Sequence, residues 1–174
     1  QNDMVRAYAA GAPGVLVSGL VWLATGMAWQ GGDTVRAFVV LFAGGVLIFP
    51  VSTLLARVVF KAPKADPGNP LSRLALESTF VLMAGILIGY VLLVRSPAMA
   101  IPAISVVMGA RYFTFRTIYG KAHYWALAAA ICALGTLALL GMALPLGNLA
   151  LQVGAAEVTV SALIHASRGK RATG

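Results

Sequence analysis

The sequence has one cysteine, Cys132, set in the apolar run Ala130-Ile131-Cys132-Ala133-Leu134. Neither a disulfide framework nor a cysteine-based metal site can therefore be built within one chain. Charge is also scarce: 10% of the residues are Asp, Glu, Lys or Arg, and only 5 of the 174 are acidic. Enzyme signatures are missing too, with no nucleophile elbow, no phosphate-cradling glycine loop and no HExxH. The two histidines, His123 and His165, are far apart and show no ligand spacing. No enzyme activity, cofactor or metal is expected.

What is present is apolar surface. Hydrophobic residues make up 60% of the chain, and the mean hydropathy of +0.88 exceeds what a water-soluble domain of this size could solvate. Such a chain takes lipid as its solvent. A span needs about 20 mostly apolar residues to cross roughly 30 Å of hydrocarbon, and six segments qualify: 12–29, 34–57, 72–94, 97–116, 122–143 and 146–166. The expected fold is all-α, a single polytopic bundle of about six spans over residues 1–174. The first run is too long for a signal-peptide core and leads straight into further spans, so it reads as a retained helix. Gln1-Asn2-Asp3, ahead of the first Met, are expected to be extraneous.

A net charge of +8 would point to nucleic acid in a soluble protein, but here the cations lie in the gaps between spans. On alternate sides of a six-span chain, one side holds Arg6, Arg57, Lys61, Lys64, Arg73, Arg111, Arg116, Lys121, Arg168, Lys170 and Arg171. The other holds Arg36 and Arg95. Cations concentrate on the cytoplasmic side of a bacterial inner membrane, which places both termini there; the excess of Arg over Lys, with the Ala and Gly content, suggests a GC-rich bacterial genome. Tyr8, Tyr112, Tyr119, Tyr124 and Trp125 are expected at the inner boundary, with Trp29 and Tyr90 at the outer one. Three prolines and a glycine between Lys61 and Pro70 make a loop.

Helices in lipid associate through small residues that let backbones approach. Gly85-xxx-Gly89, Ser105-xxx-Gly109, Gly14-xxx-Ser18 and Ala150-xxx-Gly154 are the candidate faces, for packing within the chain or between copies of it. Pro50 and Pro102 fall inside spans and should bend them.

Ionisable residues inside spans are functional candidates by default. Glu77 and Arg111 fall at similar depths, roughly 8 Å in by helix rise, and are expected to form an ion pair joining two helices. Glu157 lies roughly 16 Å deep, near the midplane. Its carboxyl is expected to be neutral unless water reaches it, since desolvation penalises the ionised form. Gly154, Ser161 and His165 share its face, and Ser18, Trp22 and Thr25 of the first span reach its depth. Glu157, Ser161, His165, Trp22 and Gly154 are thus the candidate path for a solute or ion. A weak internal echo, Glu77-Ser-Thr-Phe-Val against Glu157-Val-Thr-Val, fits the inverted halves of many transporters.

Asn69-Pro70-Leu71 and the segment Gly109-Ala110-Arg111-Tyr112-Phe113-Thr114-Phe115-Arg116-Thr117-Ile118-Tyr119-Gly120 resemble a family of uncharacterised bacterial multi-span proteins, catalogued as a domain of unknown function. Arg111 stands where that pattern has His, and Thr114 where it has Pro. The resemblance implies a bacterial membrane protein and transfers no activity. On their own chemistry, Arg111, Arg116 and Lys121 beside four aromatic rings suit anionic lipid headgroups, since guanidinium offers paired donors to phosphate.

Two functions follow. In the first, the chain is a small transporter or channel for a solute or ion, coupled to protons through Glu157. In the second, it is a non-transporting scaffold or lipid-binding protein. A polar cavity reaching Glu157 favours transport; a closely packed interior with the carboxyl bonded internally favours the second.

Overall fold

The computed structural model describes residues 1–145 and 147–169, with the side chains of residues 168 and 169 outside that description. Seven α-helices and no strand occur among the described residues. A short helix α1 (Asn2–Ala7) and a 3₁₀ turn (Ala9–Gly11) precede α2 (Ala12–Ala28), α3 (Thr34–Val58), α4 (Pro70–Arg95), α5 (Pro97–Tyr119), α6 (His123–Leu139) and α7 (Leu149–Gly169). The chain is an all-α, multi-pass helical bundle. Five helices are long and apolar enough to cross a membrane, and α6 is a shorter apolar helix. Its 17 residues reach about 25 Å, near the lower limit for a span.

Local chemistry explains the ends. Asp33 caps α3 by accepting from the Arg36 N–H at 2.9 Å. Asn69 caps α4 by accepting from the Leu71 N–H at 3.0 Å, with Pro70 in the first turn where no N–H is needed. Gly120 ends α5 in the left-handed region, φ 69°. Asn148 does two jobs: its Oδ1 accepts from the Ala150 and Leu151 N–H groups, and its Nδ2 donates to Gly26 O. The start of α7 is thereby clipped to the end of α2. Helix α3 runs unbroken through Pro50 and α5 through Pro102.

Helix α2 packs extensively on α7 and α3, and α5 on α6 and α4, whereas α3 and α4 barely touch. Glycine sets the close approaches. A Cβ on Gly154 would lie 2.7 Å from Gly19 O, and one on Gly109 2.7 Å from Cys132 N. Gly85 and Gly89 seat Val107 and Ile104 of α5. Three of the four small-residue faces found in the sequence are therefore filled within the chain; Gly14 meets nothing.

One end of the bundle carries Arg57, Lys61, Arg73, Arg116 and Lys121 and is called the basic end below. There α1 and the 3₁₀ turn tuck beneath the helices, burying Met4, Ala7, Ala9 and Ala10. Gln1 Nε2 donates to Thr117 O at 2.7 Å, and Asp3 accepts from the Asp66 N–H and the Asn69 amide. Residues 1 and 3 thereby contact the end of α5 and the segment before α4. Ala9, Ala10 and Gly11 have φ of 51°, 57° and 81°, a conformation unfavourable for alanine. Tyr124 holds it by donating its hydroxyl to Ala10 O at 2.8 Å.

Candidate functional site

Glu157 of α7 is fully buried. Its Oε1 accepts from the Tyr112 hydroxyl at 2.8 Å. Ser18 of α2 lies alongside both side chains, and Ser18 Oγ and Glu157 Oε2 are buried without a hydrogen-bond partner. The carboxyl thus sits where α2, α5 and α7 converge, and neither of the two cavities described below includes it in its lining.

Of the other path candidates, Ser161 is buried and donates to Ala12 O at 2.8 Å, which ties α7 to the start of α2. Gly154 is the backbone contact with Gly19. Trp22 is buried but lines an apolar groove facing α3 and α5. His165 is exposed and meets the Phe60 ring edge-on, with 5.5 Å between centroids. Thr25 bonds its own helix at Val21 O. The polar stripe is real as a helix face, but the fold spends it on joints between helices.

Tyr112 is the partner that sequence reasoning missed. Counted from the basic end, its Cα begins roughly a turn shallower than that of Glu157. Both side chains tilt toward their helix N-termini, in the same direction, and the greater length of the tyrosine side chain covers the difference. The available signal was its place on the Ser105, Gly109, Tyr112 face. In the same region Tyr112, Tyr119 and Tyr124, expected at the inner boundary, are buried among the helices. Tyr112 and Tyr119 each stack on Tyr124, at 6.1 and 5.6 Å, and Phe115 meets all three edge-on. Trp125 and Tyr90 remain exposed.

The Glu77–Arg111 ion pair is also corrected. Glu77 is on the exposed face of α4. Arg111 turns instead to the next residues along, Nε donating to Ser78 Oγ at 3.3 Å and Nη2 to Thr79 Oγ1 at 3.0 Å. Its guanidinium lies 5.0 Å from the Phe115 ring centroid, within cation–π range. Depth along the helix was read correctly, but helical phase, which the sequence shows only weakly in lipid-facing helices, put the carboxylate on the wrong side. The one ion pair among the described residues is Arg6–Asp3. Arg111 is consequently a cation deep in the chain without a carboxylate partner. Arg116 and Lys121 are half-buried nearer the same end; Lys170 and Arg171 lie outside the described residues.

Two cavities bear on the geometry among the described residues. One, of about 400 Å³, opens at the end opposite the basic one, between Trp29, Pro102, Ala138 and Asn148. The other is a narrow apolar groove along the loose contact of α3 with α4, walled by Phe38, Phe42, Gly45 and Ile48 on one side and Leu82 and Ile86 on the other.

The chain belongs to a family of unknown function, DUF7010, whose model matches residues 1–167. Neither a curated protein nor a solved structure matches it. Family membership agrees with the resemblance seen at residues 69–71 and 109–120, and adds no activity to it.

Proposed function

We propose that this protein is a non-transporting, lipid-binding component of the bacterial inner membrane, with its basic end in the cytoplasm and in contact with anionic headgroups. The observation that supports this reading over transport is the state of Glu157: wholly enclosed, bonded to Tyr112 of its own chain and absent from the lining of either cavity. A midplane carboxyl of a transporter has to meet its solute. The guanidinium of Arg111, by contrast, is held by hydroxyls and an aromatic face. Positive charge on the cytoplasmic side draws anionic lipid, and about 1 kcal/mol per cation near the surface is typical. Arg116 and Lys121 extend the same field toward the headgroup plane.

Transport is the second reading, and the cavity near Asn148 is what favours it. One experiment separates the two. Reconstituted into vesicles of phosphatidylcholine with a minority of phosphatidylglycerol, the protein should pass neither protons nor monovalent cations between pH 5 and 8. It should retain phosphatidylglycerol preferentially when extracted and weighed by native mass spectrometry. A flux that Glu157→Gln abolishes, with folding intact, would sink the lipid-binding reading.

A further inference from the structure

We infer that the groove between α3 and α4 is a seat for one anionic glycerophospholipid, an acyl chain lying in the groove and the phosphate bound by Arg111. The inference rests on the lipid-binding reading and adds a place, a partner and a stoichiometry to it.

Every span has lipid beside it, so exposure alone selects nothing. Four observations select this groove. First, it is concave: α3 and α4 barely touch, while each packs well on its other neighbour. Second, its walls are apolar, with Leu41, Gly45, Leu82 and Met108 among them, the surface a hydrocarbon chain lies against. A Cβ at Gly45 would meet nothing within 4 Å, so the wall is open at that point. Third, it has one closed end. Phe38 of α3 and Tyr90 of α4 approach to 6.3 Å between ring centroids on the side away from the basic end.

Fourth, polar and cationic residues follow its lining at the other end, by the register of the helices. One turn beyond the apolar lining on each helix, at the three- or four-residue spacing of one face, stand Ser52 after Ile48 on α3, Ser78 before Leu82 on α4, and Arg111 after Met108 on α5. Arg111 already faces α4 through Ser78 and Thr79. These hydroxyls position a guanidinium with no carboxylate of the described residues within ion-pair distance. Guanidinium binds phosphate oxygens through parallel N–H donors, and the long arginine stem lets the head reach toward the interface. Apolar chain, hydroxyl notch and cation follow one another in the order of a phospholipid read from tail to head.

The test is native mass spectrometry of the full chain released from vesicles of mixed phosphatidylglycerol and phosphatidylcholine. Four proteins are compared: unmodified, Arg111→Gln, Arg111→Lys and Gly45→Phe, with thermal unfolding in detergent to verify that each is folded. The unmodified protein should retain one phosphatidylglycerol. Arg111→Gln should lower its retention over phosphatidylcholine roughly tenfold, and Arg111→Lys should restore part of it. Gly45→Phe should displace the lipid with either headgroup. Should Gly45→Phe leave retention unchanged while Arg111→Gln abolishes it, the groove proposal fails and the headgroup reading stands. Absence of any preference for phosphatidylglycerol in the unmodified protein would overturn both. Retention of a free fatty acid in place of phospholipid would overturn the assigned occupant. If Arg111→Gln fails to fold, phosphatidylglycerol with a photoreactive acyl chain replaces it; labelling of α3 and α4 at the groove supports the seat, and labelling elsewhere overturns it.

Discussion

The two flanks of this bundle solve the same problem in opposite ways. Where α2 meets α7 and α5 meets α6, glycine brings backbones together, so that a Cβ on Gly154 or Gly109 would overlap the neighbouring main chain. Where α3 faces α4, Gly45 opens onto space and large apolar side chains such as Phe42, Val46 and Phe49 are exposed. Lipid tails are as apolar as leucine, so no hydrophobic force closes the second flank; only close packing or hydrogen bonds could. The first flank has both: the Gly19–Gly154 crossing lies beside the Tyr112–Glu157 bond and the Ser161–Ala12 bond. A glycine's effect in these helices therefore depends on what lies opposite it.

The contrast can be broken at a pair of glycines. Gly154→Leu should destabilise strongly, by about 3 kcal/mol or more, because overpacking here strikes backbone that cannot move aside. Gly45→Leu should change stability by less than about 0.5 kcal/mol. Thermal or chemical unfolding in one detergent reads both, and equal losses would show that the flanks are not packed differently.

Next in size is the joint at Glu157. Removing it with Glu157→Ala leaves the buried Tyr112 hydroxyl without an acceptor and opens a cavity, which together should lower stability by about 2–4 kcal/mol. Glu157→Gln keeps an acceptor for Tyr112 and should stay within about 1 kcal/mol of the unmodified protein. A loss as large with Gln as with Ala would mean that the acid itself, and not its place in the packing, holds the three helices.

A smaller effect is expected where the N-terminal segment docks. Tyr124→Phe deletes the hydroxyl that fixes Ala10 and should cost about 1 kcal/mol. Hydrogen exchange of residues 4–11 should rise while that of α5 and α6 stays unchanged.

The smallest is a pH effect at Asp3. The Asn69 side-chain amide, and after it the Asp66 N–H, hold its carboxyl below the ordinary value of 3.8. A lowered folded-state value means that the contribution is complete above the ordinary value and is lost as pH falls through the lowered one. Exchange protection of the Asp66 N–H should therefore weaken in acid, and Asp3→Asn should remove that dependence. Protection that is flat with pH in the unmodified protein would count against the Asp3 contact.

What the sequence determined by itself was whatever depends on composition along one helix. Length and apolarity located α2 to α7 within a few residues, since a span is set by the thickness of the hydrocarbon. The sequence started the third span at residue 72, whereas the Asn69 cap and Pro70 begin α4 two residues earlier. Glu157 stood out because a carboxyl among apolar residues is rare and has to be accommodated. Only the tertiary structure decided what each of these residues faces. It turned Glu77 outward and gave Arg111 to Ser78 and Thr79. It packed Tyr112, Tyr119 and Tyr124 among the helices and folded α1 beneath the bundle. The physical reason is helical phase: in lipid the outward side of a helix is as apolar as the inward side, so the pattern that marks a buried face in water is largely erased, and neighbours are chosen by close packing between residues far apart in the chain.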